Sequence, residues 1–148
     1  MKILYLSRIN KDDRKNYGVI QKCHAQAAAL RQLGHQVDWI HLGMEGIFQN
    51  DRLLYRFSRP VLSQSWSTYW FYFFSWLRIV SYYIDFTEYD LIYIRYAMAH
   101  PQLIAFLKKA KRRKIAPQII LEFPTYPYDL EPQSWIDRVS LRMDQLYL

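Results

Sequence analysis

The chain has 148 residues, of which 51% are hydrophobic and 18% aromatic, and it carries a formal net charge of +7. This length and apolar fraction suffice for one folded domain with a hydrophobic core, which excludes a disordered or low-complexity protein. The positive charge favours anionic partners, namely phosphates, nucleic acid or an anionic membrane surface, and it does not choose among them.

The opening of the chain has the pattern of a strand, a helix and a second strand. Residues 2–7 (KILYLS) are nearly all apolar, which predicts a central strand buried on both faces. After a polar loop, Gly18 is predicted to let the helix begin close against the sheet, and Gly34 to end it. Residues 36–42 (QVDWIHL) supply the second strand, in a unit that is nearly always right-handed and parallel. The apolar residues of the predicted helix recur at helical spacing: Val19, Ile20, Cys23, Ala27 and Leu30.

The remaining elements extend this sheet. Two short apolar stretches around Asn50 and Asp51 predict a small β-hairpin, an appendage to the strand and helix repeat. Residues 90–96 and 117–123 predict a third and a fourth parallel strand, with a helix that begins at Pro101 between them. The sequence therefore predicts an α/β fold, a Rossmann-like parallel sheet with flanking helices and a small β-hairpin insertion. A last amphipathic helix is predicted from about Ser134.

Residues 66–84 (WSTYWFYFFSWLRIVSYYI) are the most unusual segment, because they are rich in aromatic side chains and carry one charge, on Arg78. Their apolar stripe predicts a helix. Such a helix could pack on the sheet, lie in a membrane interface, where tyrosine and tryptophan are favoured, or cross a bilayer. The tyrosines and serines favour the first two interpretations over a membrane span.

Chemical motifs are few. Cys23 is the one cysteine, which excludes an intramolecular disulfide, and its place on an apolar helix face indicates a buried core thiol and not a nucleophile. The histidines are not spaced as metal ligands, and glycine-rich phosphate loops and serine-nucleophile motifs are absent, so neither a metal nor a cofactor is expected. Met1 leads directly into the first strand without the features of a signal peptide, which predicts a cytoplasmic protein. The four histidines are His24, His35, His41 and His100.

Two charged groups lie where ligands usually bind to such sheets. Arg95 ends the third predicted strand and Glu122 lies near the end of the fourth. Ligands of open α/β sheets bind outside the carboxyl ends of the strands, which makes both residues candidates for a site. They could equally form a structural ion pair.

The helix after Pro101 ends in a basic run at residues 108–114 (KKAKRRK). Cations at a helix C-terminus are favoured by the helix dipole, so the run could be a solvated helix end. It could also bind an anionic membrane surface, through Lys108, Lys109, Lys111 and Arg112. Nucleic acid is not expected, because no aromatic stacking residues or binding module accompany the charges.

Taken together, the chain resembles the N-terminal domain of GT-B glycosyltransferases, in the retaining family-4, group-1 class of bacterial capsule and exopolysaccharide assembly. The resemblance lies in residues 33–37 (LGHQV), 89–96 (YDLIYIRY) and, most specifically, 121–129 (LEFPTYPYD). It covers essentially all of residues 1–148 but only the first half of the family's two-domain enzymes. The expectation is one acceptor-side domain, with the C-terminal donor domain absent from this chain.

The resemblance implies a function and a set of site residues. Family members move a sugar from a nucleotide-sugar donor, held by the second domain, to a lipid-linked or polysaccharide acceptor in cell-surface polysaccharide synthesis. Retaining members usually need no metal. By position, the residues implied to contact substrate are Gly18, Arg95, His100, Glu122 and Tyr126. His100 could instead cap its helix, and many relatives carry a Gly-Gly pair where this chain has Tyr17 and Gly18.

Two functions follow from this sequence. The first is the N-terminal half of a glycosyltransferase that works at the inner face of the cytoplasmic membrane as a peripheral protein. The alternative is a non-catalytic module, from a truncated or split protein, that binds a partner or a membrane surface and transfers nothing. This chain without a donor-binding domain is expected to be inactive in both cases.

Overall fold

The computed structural model describes residues 1–12, 17–57, 75–95, 101–112 and 116–122. These residues form an α/β domain, which confirms the predicted fold class. The predictions for residues 66–74, His100, residues 123–130 and the last helix lie outside the described residues. The elements are β1 (Lys2–Asn10), α1 (Tyr17–Gln32), β2 (Gln36–Leu42), β3 (Gly46–Gln49), β4 (Arg52–Arg56), α2 (Trp76–Tyr83), a 3-10 helix (Phe86–Glu88), β5 (Leu91–Arg95), α3 (Pro101–Lys111) and β6 (Gln118–Glu122).

The strands form one six-stranded sheet in the order β4-β3-β2-β1-β5-β6. β1 pairs in parallel with both β2 and β5, and β5 pairs in parallel with β6, so the predicted parallel strands and the interior position of β1 are confirmed. The predicted hairpin is also present, but the sheet includes it. β3 pairs antiparallel with β2 and with β4, which makes the sheet mixed and corrects the expectation of an appendage.

The turn of this hairpin explains how it is fastened to the sheet. Asn50 adopts a left-handed conformation with φ of 54°, which asparagine tolerates better than most residues. Its side-chain oxygen accepts hydrogen bonds from the Trp39 backbone N–H at 2.9 Å and from Arg31 at 2.7 Å. The amide group of Asn50 therefore joins the turn to β2 and to α1.

Side chains alternate between the two faces of the sheet, as strand geometry requires. α1 covers one face, where Tyr5, Cys23 and Trp39 are buried together, so the prediction of a core thiol at Cys23 is confirmed. α2 and α3 cover the other face, where they pack on a larger cluster that includes Leu6 and Ile92. The domain thus has two layers of helix around one sheet.

A glycine was predicted to be required at each end of α1. Gly34 has a φ of 84° and ends the helix as predicted, because this backbone conformation is strained for other residues. The reason given for Gly18 is wrong: no described atom lies within 4 Å of a Cβ built at this position, so the helix does not need glycine to approach the sheet. Val19 is exposed and does not join the core, because the first turn of α1, including Tyr17, lies at the surface.

α2 includes the described part of the aromatic segment. Trp76, Leu77 and Val80 are buried against the sheet, whereas Tyr82 and Tyr83 are exposed. This segment therefore packs on the sheet with one side and presents tyrosines on the other. None of the helices in the described ranges is long and apolar enough to cross a membrane.

His41 is a buried titratable residue on β2, between the rings of Trp39 and Phe48. Its Nε2 lies 2.8 Å from the carbonyl oxygen of Asn50, and its Nδ1 lies 3.2 Å from that of Leu42. Burial lowers the pKa of His41 below its ordinary value, and the two carbonyl oxygens oppose this shift only in part.

We expect His41 to make the protein less stable as the pH falls below about 6.5, the ordinary pKa of histidine. The unfolded chain then takes up a proton that the buried ring resists, so acid favours unfolding, whereas the ring is neutral in both states at higher pH. The melting temperature of His41→Phe should decline less than that of the wild type between about pH 7.5 and about pH 5. Parallel declines would contradict this expectation.

Candidate functional site

The carboxyl ends of β1, β5 and β6 lie side by side and form the candidate site. Ser7 of β1 is in register with Arg95 of β5, which is in register with Glu122 of β6. The chain leaves β1 toward β2 on one side, and β5 lies on the other side of β1. This divergence is a topological switch point, where open α/β sheets form a crevice that binds ligands.

Glu122 is the centre of a polar cluster at this edge. Its Oε1 lies 2.7 Å from Arg95 Nη1 and 3.5 Å from Lys22 Nζ. Its Oε2 accepts hydrogen bonds from Tyr93 at 3.2 Å and from Gln26 at 3.3 Å. The side chains of Arg95 and Glu122 are only 9% and 14% exposed, whereas that of Lys22 is 54% exposed. We call the residues Lys22, Gln26, Tyr93, Arg95 and Glu122 the edge cluster.

Two members of the edge cluster come from α1. Lys22 and Gln26 are four residues apart, so they lie on the same side of the helix, facing the end of the sheet. The side-chain oxygen of Gln26 accepts a hydrogen bond from the Tyr5 hydroxyl at 2.9 Å, which orients its N–H groups toward Glu122. Gln26 therefore connects Tyr5 of β1 to the Glu122 carboxylate through two hydrogen bonds.

The neutral groups around the cluster are held neutral by burial. Burial raises the pKa of the Tyr5 hydroxyl and of the Cys23 thiol, and it raises that of Tyr93 together with the nearby negative charge of Glu122. The charges of the edge cluster are accordingly two cations, Lys22 and Arg95, and one carboxylate. The cluster has one positive charge in excess, and the exposed group that carries it is Lys22.

A row of aromatic rings supports the cluster from within the sheet. The rings of Tyr5 and Tyr93 meet edge to face with centroids 5.2 Å apart, and Tyr5 stacks on Trp39 at 6.3 Å. The indole N–H of Trp39 donates to the buried Ser7 hydroxyl at 2.7 Å. These contacts run across β5, β1 and β2, so the backbone beneath the cluster is rigidly packed.

Only some of the predicted site residues lie in the edge cluster. Arg95 and Glu122 come together as an ion pair, the structural alternative that the sequence left open, and Gly18 is exposed in the first turn of α1. His100 and Tyr126 lie outside the described residues. The sequence interpretation missed Lys22, Gln26 and Tyr93. The signal for Tyr93 was its alternation with Arg95, which places both on one face of β5, and that for Lys22 and Gln26 was their helical spacing.

The chemistry of the edge cluster suits a hydroxylated or anionic ligand. A carboxylate accepts hydrogen bonds from hydroxyl groups, and ammonium and guanidinium groups donate to hydroxyl, carboxylate or phosphate oxygens. In the described part of the chain no three His, Cys, Asp or Glu side chains are grouped so that they could hold a metal ion.

Comparisons with known proteins add no family to this geometry. No protein-family model matches the chain, and searches of the curated proteins and of the solved structures found no match.

Proposed function

We propose that this chain is the acceptor-side domain of a GT-B glycosyltransferase of cell-surface polysaccharide synthesis. The reaction moves a sugar from a nucleotide-sugar donor to a lipid-linked or polysaccharide acceptor. The observation that supports this proposal best is the edge cluster, because it gathers hydrogen-bonding and charged groups at the switch point of a Rossmann-like sheet. The sequence resemblance supplies the reaction class.

In this proposal the edge cluster orients the acceptor. Four donors surround the carboxylate of Glu122, and the contact with Lys22 is the longest of them at 3.5 Å. An acceptor hydroxyl therefore replaces Lys22 at Oε1, and the freed ammonium group binds a second oxygen of the same acceptor. Orientation of this kind lowers the entropic cost of bringing acceptor and donor together. The donor is held by a second domain, as in the enzymes that the chain resembles.

Acceptor binding can be tested on the chain alone by NMR titration with lipid-linked and free oligosaccharides. Lys22→Ala is expected to weaken binding about tenfold, since it removes a charged hydrogen-bond donor. Arg52→Ala is the control, because Arg52 is an exposed cation on β4, outside the edge cluster. Equal effects of the two changes, or no binding by the wild type, would contradict the proposal.

Transfer itself requires the donor half. We expect sugar transfer only when this chain is mixed with a candidate donor-binding domain and a nucleotide sugar, and nothing from either protein alone. If the chain binds no acceptor and supports no transfer with such a partner, the non-catalytic module is the better description.

A substitution at Gly18 can distinguish an effect on substrate binding from an effect on stability. Its surroundings leave room for a side chain, so Gly18→Ala should leave stability unchanged or raise it by up to about 1 kcal/mol, because alanine favours a helix. If the first turn of α1 approaches substrate as the resemblance implies, the same variant should bind the acceptor or support transfer less well. An unaltered transfer rate and affinity would remove Gly18 from the site.

The basic end of α3 supports the proposal of a peripheral membrane location. Lys108, Lys111 and Arg112 are exposed, and so is Lys109, whose Nζ donates to the Ser81 carbonyl oxygen at 2.6 Å and so caps α2. Replacing the first three by glutamine should weaken binding to phosphatidylglycerol vesicles about a hundredfold, at about 1 kcal/mol per charge. Unchanged binding would remove the membrane from the proposal.

A further inference from the structure

A groove with a volume of about 800 Å³ lies between α2 and α3. Both helices cover the sheet face opposite to α1, so this groove is separate from the edge cluster. Leu77 and Phe106 contribute to its apolar lining, and the exposed rings of Tyr82 and Tyr83 stand at its margin. A space of this size is within the range of sites for small amphiphilic ligands.

The charged groups among the described residues of the groove have one sign. They are Arg78 from α2 and Lys109 from α3, and no acidic residue is among the described residues that line the groove. The side-chain oxygen of Gln102, which also lines the groove, is buried and accepts no hydrogen bond from the described residues. Buried polar atoms are normally paired, and rotation of the Gln102 side chain into the groove would offer this oxygen to a donor there.

We propose that this groove binds one molecule of an anionic phospholipid with a hydroxylated head group. The apolar lining accommodates an acyl chain, and Arg78 and Lys109 attract the phosphate. A head-group hydroxyl donates to Gln102 once that side chain rotates into the groove. Tyr82, 83% exposed, has an apolar ring and a polar hydroxyl, a combination that is enriched at the level of lipid head groups. The charge of the lining therefore selects a lipid over a neutral peptide segment or a cationic surface.

This site differs from the basic end of α3 described above. Attraction between exposed cations and an anionic bilayer has no fixed stoichiometry and needs a membrane. A lipid in the groove is bound singly and is measurable without any bilayer. The inference also does not depend on sugar transfer, because it concerns the other face of the sheet.

The test uses dihexanoyl phosphatidylglycerol below its micelle concentration, titrated into the whole chain and followed by NMR. We expect saturable binding of one molecule, with shifts at α2 and α3. Dihexanoyl phosphatidylcholine, which is zwitterionic and lacks the hydroxyls, should bind about thirtyfold more weakly, because its choline cation is repelled by the same two cations that attract its phosphate. Equal affinities for the two lipids would overturn the proposal.

Two matched pairs of variants locate the site. Ala105 is an exposed residue of α3 that lines the groove, so Ala105→Trp fills the space without touching the core, and it should abolish binding. Ala29→Trp, at an exposed position of α1, should not. Arg78→Gln should weaken binding, whereas Arg52→Gln should leave it unchanged.

Circular dichroism of each variant checks that the fold is retained. Undiminished lipid binding by folded Ala105→Trp, or the same loss in Ala29→Trp, would overturn the proposal. Sedimentation provides the other decisive outcome. A wild-type dimer that Ala105→Trp converts to a monomer, with no lipid bound by either, would show that a second copy of the chain occupies the groove.

Discussion

Replacement of Glu122 by glutamine is expected to lower the free energy of unfolding by about 3 kcal/mol. The variant leaves the guanidinium of Arg95, which is 9% exposed, without the carboxylate that lies 2.7 Å away. An unpaired charge in such a position costs far more than the loss of one ordinary hydrogen bond. Urea denaturation followed by circular dichroism measures the difference between the two proteins.

A double variant separates the ion pair from the packing around it. The double variant Arg95→Met with Glu122→Leu should have a free energy of unfolding within about 1 kcal/mol of the wild-type value. Apolar side chains of similar size often replace a buried ion pair without loss of stability. Lys22→Ala is the matched single change, and its effect should be below about 1 kcal/mol because this cation is 54% exposed. If Glu122→Gln is no more damaging than Lys22→Ala, the pair is not a buried one.

This design also serves the functional proposal. A folded double variant keeps the sheet but has neither the carboxylate nor the guanidinium of the edge cluster. Loss of acceptor binding in that protein then reports on chemistry and not on unfolding.

Gly46→Ala is expected to destabilise the protein by at least about 3 kcal/mol, the other large effect that the structure predicts. A Cβ at this position would overlap the carbonyl oxygen of Tyr55 and would lie 2.8 Å from Cδ1 of Leu53. Gly46 begins β3, which pairs with β4, so neither backbone can withdraw without breaking the hairpin. Thermal unfolding provides the measurement.

Gly18→Ala is the control for that experiment, since it adds the same methyl group at a position where no atom of the described residues lies within 4 Å of the new Cβ. The two variants should differ in the sign of their effect or by several kilocalories per mole. Similar melting temperatures would mean that β3 and β4 separate easily and that the hairpin is only loosely joined to the sheet.

The sequence predicted those elements whose side-chain pattern is local. β2 begins and ends at the predicted residues, Gln36 and Leu42, because its concentration of buried residues and the preceding Gly34 define it. β1 continues to Asn10, beyond the predicted end at Ser7, because Asn10 still pairs with Leu42 after an irregularity in the register. That pairing is a tertiary interaction, so the sequence pattern of residues 8–10 predicted a loop where the structure has a strand.

The candidate site was only partly predictable for the same reason. The position of Arg95 and Glu122 followed from the rule that parallel strands present their carboxyl ends along one edge. Their partners Lys22 and Gln26 come from a helix whose rotation about its axis is set by packing on Tyr5 and Cys23. The spacing of Lys22 and Gln26 places them on one side of α1, but it does not indicate that this side faces the end of the sheet.

Glu122 is the last residue of β6, so ligand binding at Glu122 is linked to the register of this strand in the sheet. β6 is the outermost described strand on its side, and a slip of one residue against β5 would turn Glu122 to the opposite face. The contacts that shape the cluster thus also fix the alignment of β6 against β5. A molecule that binds there would slow amide hydrogen exchange along residues 118–122, which makes solvent protection of this strand a reporter of occupancy that needs no knowledge of the reaction.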